Sequence, residues 1–212
     1  MATSQGTTAM VAERRRTRLV SWPWLALQGF LLGIAVLLLG SWSYAQLATY
    51  FYQEAAHREL DRLFITAPAD GEVRRALFSR PRLGEAFGRI SIPALGMSSI
   101  IVAGSDARSL EHAVGFIPGT ALPGEGGNTG LAAHRDTFFR RLGDIRTNDV
   151  VTVSTVGGTY NYVVVDTQIV DPEDVWVLDP TTRPMITLVT CYPFSFVGTA
   201  PQRFIVRAAQ LH

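Results

Sequence analysis

The chain has 212 residues, room for one ordinary domain and an appendage. Its 19 basic residues, all arginine, stand against 18 aspartates and glutamates, so a net charge of +1 supplies no field to draw in nucleic acid, and no nucleic-acid partner is expected. Hydrophobic residues make up 47% and charged residues only 17%, an apolar excess that is local, and the single cysteine excludes an internal disulfide while confining any thiol chemistry to Cys191.

Residues 1–18 read as a cytoplasmic N-terminal tail, polar at first and then basic at Arg14, Arg15, Arg16 and Arg18. Residues 19–53 carry no charge at all and form the expected anchor region. Within it, Trp24 to Leu47 is long enough as a helix to cross roughly 30 Å of hydrocarbon. A cleaved signal peptide would have a shorter apolar core and a small-residue cleavage site. Here the run ends in Trp42, Tyr44, Tyr50, Phe51 and Tyr52, an aromatic belt, which favours an uncleaved anchor. The arginines before the helix place the N-terminus in the cytoplasm, making this a single-pass protein of the cytoplasmic (inner) membrane with its remaining chain extracytoplasmic. Residues 54–87 are expected to be a juxtamembrane spacer, helical in part, that lifts the folded domain off the membrane. Its Arg74, Arg75, Arg80 and Arg82 read as a solvated basic face.

From residue 88 to 212 short apolar runs alternate with Gly, Pro, Asn and Asp, the texture of a mainly β domain. GRISIPALG and MSSIIVAG predict two strands joined at Pro93 to Gly96. Asp106 to Val114 predicts one short helix, capped by Ser105 or Asp106. PGTALPGEGGNTG is glycine-rich but lacks the lysine of a phosphate-binding loop, so it reads as a plain loop into a strand at Leu131 to Ala133. DTFFRRL suggests a helical turn. Gly157 and Gly158 mark a hairpin between two β-rich runs. Asp171 to Pro184 is a long connection, whose Glu173 and Asp174 read as solvated, and Met185 to Thr190 and Gln202 to Ala208 are the last strands. Seven or eight short strands with little helix point to a closed or nearly closed barrel.

Cys191 ends an apolar strand, where a scaffold presents reactive groups, although a lone cysteine is more often an inert, buried one. His134 also stands at a strand-to-loop junction and could supply the base or cationic neighbour that a thiolate needs. Arg203 opens the next strand. If the two strands pair antiparallel, it comes level with Cys191, where a guanidinium can hold charge or fix peptide carbonyls but cannot act as a base. No metal-ligand spacing is present among one cysteine and four scattered histidines, and neither a metal nor a cofactor is expected.

LAAHRDTFFRRL, TLVTC and RFIVRA, taken together, resemble the sortases, cysteine transpeptidases of bacterial surfaces. The resemblance covers roughly residues 88–208. It implies an eight-stranded sortase-like β-barrel with one or two short helices, preceded by the transmembrane helix, and it implies catalytic roles for His134, Cys191 and Arg203. Arg203 would also bind substrate, and Thr190 would line the substrate groove. Ala133, where glycine often precedes the histidine, makes the chain look more like the compact variant associated with Gram-negative bacteria. The implied partners are a secreted protein with a C-terminal LPxTG-like sorting signal and an amine acceptor in the envelope or on a protein. Three other readings compete: an L,D-transpeptidase-like enzyme, a hydrolytic cysteine peptidase, and a non-catalytic membrane-tethered β domain.

Overall fold

The structure is a computed structural model that describes residues 22–68, 70, 73, 81–196 and 198–211. The tail 1–18 and Arg74, Arg75 and Arg80 lie outside the described residues. By its contacts the chain divides into two compact units, Met1–Ala45 and Gln46–His212.

Helix α1 spans Trp22–Thr66, 45 residues. Its most apolar stretch has a mean hydropathy of 2.0, apolar and long enough to cross a membrane, a test that a signal sequence near the N-terminus also passes. The part of α1 from residue 46 onward belongs to the second unit. Tyr52, Ala56, Leu60 and Phe64 recur every four residues and so share one helix face. That face packs on Ile100, Val102 and Ala113, with Leu60 only 1% exposed. Gln53 adds two bonds to the same surface: its Nε2 donates to the His112 carbonyl at 2.6 Å, and its Oε1 accepts from the Ile100 amide at 3.1 Å. Asp61 pairs with Arg89 at 3.0 Å. Residues 54–66, read from sequence as a spacer, are therefore part of the folded unit, because their helix carries an apolar stripe that only the barrel wall covers.

Eight strands close the barrel: β1 (Ala86–Ile92), β2 (Met97–Ala103), β3 (Val114–Phe116), β4 (Asn128–Ala132), β5 (Val150–Thr155), β6 (Gly158–Val170), β7 (Met185–Tyr192) and β8 (Gln202–Gln210). Their order around it is β1-β2-β3-β4-β7-β8-β6-β5. β2·β3 and β4·β7 are parallel, and the other neighbours are antiparallel. Closure leaves no open sheet edge. The interior is filled by aliphatic and aromatic side chains that include Ile92, Ile101, Leu131, Val153, Tyr162, Ile186, Leu188 and Val206, each at most 1% exposed.

The strand and helix expectations hold with two exceptions. One is β4, which begins at Asn128 inside the glycine-rich stretch read as a loop and ends at Ala132. The other follows the short helix. Helix α2 (Ala107–His112) is capped by Asp106, whose carboxylate accepts from the amides of Arg108 and Ser109 and from the Ser109 hydroxyl. The hydrogen bonds from Ser109 hold that carboxyl below its usual range. The helix stops two residues short of Val114 because Ala113 takes an extended backbone, and Val114, expected as the last helical residue, instead opens the three-residue strand β3. β3 bridges β2 to β4, so it completes the wall.

A buried asparagine ties β4 to β7 and to the β6–β7 connection at the end where both strands begin. The buried Asn128 amide donates to the Val177 carbonyl at 3.0 Å and the Asp179 carbonyl at 3.3 Å, and its Oδ1 accepts from the Thr187 hydroxyl at 2.8 Å. Further along β4, a Cβ at Gly130 would come within 2.9 Å of a Leu178 methyl and 3.1 Å of the Thr120 methyl, so glycine gives the β6–β7 connection room to lie close without moving those side chains.

Candidate active site

β4 and β7 run parallel, so both deliver their C-terminal ends to the same rim of the barrel. Their register sets Ala132 opposite Val189. Beyond that pair the Ala133 amide donates to the Val189 carbonyl at 3.2 Å, and the Thr190 hydroxyl donates to the Ala133 carbonyl at 2.8 Å. His134 is the next residue, exposed, with its own carbonyl accepting from the Phe139 amide at 3.1 Å. Its imidazole makes no hydrogen bond to a described residue, so the ring is free to turn. Cys191 is the next residue on β7, a half-buried free thiol.

On the other side β7 and β8 are antiparallel, and Cys191 pairs in register with Arg203. Paired residues on neighbouring strands project from the same face. The Nη1 of Arg203 donates to the carbonyls of Gln202 at 3.0 Å and Ala200 at 3.3 Å. Among the described residues these are the only partners of its guanidinium, so Nη2 and Nε keep donor capacity. The structure thus places Cys191 between Arg203 on one flank and the His134 segment on the other.

Thr190 is 2% exposed, and its hydroxyl donates to the Ala133 carbonyl, tying β7 to the residue before His134.

The connection from β7 to β8 carries aromatic side chains back onto the barrel. Tyr192, Phe194 and Phe204 form a cluster with ring centroids 5.4–6.3 Å apart. Phe194 also lies against Gly143, where a Cβ would approach its ring to 2.9 Å. Phe196 is turned outward, 44% exposed. Val197 lies outside the described residues. A further cation at this rim escapes sequence reading. Arg135, directly after His134, donates through Nη2 to the carbonyls of Phe196 at 2.6 Å and Gly198 at 3.0 Å. Its position next to the histidine was the only hint the sequence offered. Among the described residues, no three His, Cys, Asp or Glu side chains come together to hold a metal ion.

A closed eight-stranded barrel with a thiol, an imidazole and a guanidinium brought to one rim is a scaffold equipped for thiol chemistry. The chain belongs to the sortase family: the family model "Sortase domain" matches residues 90–211. Among curated proteins it is 38% identical to Sortase D of Bacillus subtilis (strain 168) over 128 residues, which is 60% of this chain and 65% of that one. It is also 27% identical to Sortase A of Listeria monocytogenes over 108 residues, 49% of this chain and 48% of that one. The matched part is thus less than two thirds of the length of either relative. Among solved structures, a Clostridium perfringens Sortase D5 transpeptidase superposes with a TM-score of 0.66 over 76% of this chain and 98% of that one, at 24% identity, a likeness of fold.

Proposed function

We propose that the chain is a membrane-anchored cysteine transpeptidase that cleaves an LPxTG-like sorting signal and transfers the protein to an amine acceptor. The observation that carries this reading is the register of β7: Cys191 pairs with Arg203 and stands one residue past Thr190, which bonds to the residue before His134. In this reading the Cys191 thiolate attacks the carbonyl of the scissile peptide bond. The unspent donors of Arg203 hold the substrate backbone and stabilise the developing oxyanion. Protonated His134 gives its proton to the leaving amine as the C–N bond breaks, leaving a thioester on Cys191. An incoming amine then loses a proton to His134, attacks the thioester, forms the new amide and frees the thiol. Thr190 acts from beneath by fixing the backbone at Ala133.

The first part of α1 is the anchor, with the N-terminus cytoplasmic and the barrel extracytoplasmic; the uncharged run from Leu19 to Gln53 behind four arginines supports that topology. Residues 88–212 are the catalytic domain, and the docked helix from residue 46 to 66 belongs with it. The resemblance to the compact variant of Gram-negative bacteria belongs to the same proposal.

The test is capture of the thioester. The full chain in detergent is mixed with an LPxTG-like peptide and an amine, and intact-mass spectrometry reads the acyl adduct. Cys191→Ala is expected to abolish adduct and ligated product, and His134→Ala to lower turnover by at least about a hundredfold. Ligation by the Cys191→Ala variant would overturn the assignment.

A further inference from the structure

His134 stands where the sheet has let go of the chain. The last β4 residue in register is Ala132, and Ala133 is fixed by Val189 and Thr190. The following residue, Arg135, reaches across to the β7–β8 connection, the loop that joins Cys191 to Arg203. Nη2 uses its two hydrogens on the carbonyls of Phe196 and Gly198, and the guanidinium carbon lies 5.9 Å from the centroid of the Phe196 ring. His134 is therefore bracketed, with a tie to β7 on its N-terminal side and a tie to the β7–β8 loop on its C-terminal side. The loop is pinned at two points: Phe194 seats its first part on Gly143, and Arg135 holds the part beyond it.

We infer that Arg135 is a positioning residue, a strap whose guanidinium sets where His134 stands relative to Cys191 by fixing the β7–β8 loop at the rim. The inference rests on the proposed roles of Cys191 and His134. The chemistry suits arginine. Two carbonyls two residues apart in the chain are met by one planar, always charged group that also lies against an aromatic ring. A lysine ammonium has three donors and can meet both carbonyls, but it has no planar face to lie against the Phe196 ring. Removing the strap leaves β4, β7 and β8 paired as before, so the thiol keeps its place while the imidazole segment and the loop lose their common tie. Misplacement of a reacting group by about 1 Å is enough to cost on the order of a hundredfold in rate.

The experiment compares Arg135→Ala and Arg135→Lys with the unaltered full chain in detergent. Hydrogen exchange of the amides from 194 to 200 reads the strap without any substrate, and the pH profile of Cys191 alkylation by iodoacetamide reads the imidazole beside the thiol. Steady-state kinetics with an LPxTG-like peptide and an amine reads the consequence. Arg135→Ala is expected to raise loop exchange about tenfold or more, shift the midpoint of the alkylation profile and lower kcat roughly ten- to a hundredfold with KM little changed. Arg135→Lys should recover part of each. Unchanged loop exchange and an unchanged alkylation profile in Arg135→Ala overturn the strap, as does a fall in activity that merely follows the folded fraction. If Cys191→Ala and His134→Ala abolish turnover while Arg135→Ala is neutral, the strap alone fails. If those two variants remain active, the reading of the site fails, and loop exchange still decides whether Arg135 holds the loop.

Discussion

Arg203 has a geometry that a lysine cannot copy. Nη1 is held by the carbonyls of Ala200 and Gln202, which orients the plane of the guanidinium and leaves Nη2 and Nε with donor capacity on the residue paired with Cys191. Arg203→Lys keeps the charge and loses the fork, so kcat/KM for an LPxTG-like peptide should fall by roughly a hundredfold, the scale of a lost oxyanion donor, with thermal stability almost unchanged. Rates near those of the unaltered chain would remove Arg203 from the chemistry. Cys191, His134 and Arg203 were legible in the sequence because each stands at the end or the start of an apolar run, where strand polarity alone tells which residues reach a rim. Thr190 and Arg135 were not legible in the same way. A threonine in TLVTC looks equally able to face outward or inward, and only the pairing of β4 with β7 shows its hydroxyl meeting Ala133. The reach of Arg135 depends on a loop whose path no periodicity encodes.

The part of α1 from residue 46 onward is held by its own apolar face. Up to residue 53 it is uncharged, and from residue 46 onward one face follows a four-residue stripe against Ile100, Val102 and Ala113. Leu60 sits at the centre of that stripe and is 1% exposed. Leu60→Ala should lower unfolding stability by about 2–5 kcal/mol, read from urea transitions of the full chain in detergent. A loss under about 0.5 kcal/mol would mean that the helix does not stay on the barrel. A fragment beginning at residue 88 would lack this contact and uncover Ile100, Val102 and Ala113, all buried here. From sequence the change of role along α1 was hidden, since mixed charges at Glu54, Arg58 and Glu59 suggest a solvated helix and the stripe between them has only four members. β3 was hidden for a related reason. Three residues are too few to display alternation, and all three are buried.

The barrel as a whole encloses few polar groups, and Tyr162 is the largest of its fully buried side chains. Burial pushes its hydroxyl up to about 12 from the usual 10.0. A group whose folded value is raised contributes stability that is fully present below the unfolded value and is lost as pH rises through the folded one. Stability should therefore fall between about pH 10 and 12, and Tyr162→Phe should flatten that slope in urea midpoints measured across the range. An equally steep fall in the variant would assign the loss to other groups. The closed barrel was legible from the count of short runs, yet their order was not, because pairing partners such as β1 with β5 lie far apart in sequence. β8 follows the other described strands in the chain and lies between β7 and β6, so a chain without it leaves an edge of each strand unpaired and Cys191 without Arg203 opposite it. Closing the wall and setting the guanidinium across from the thiol are thus the work of one strand.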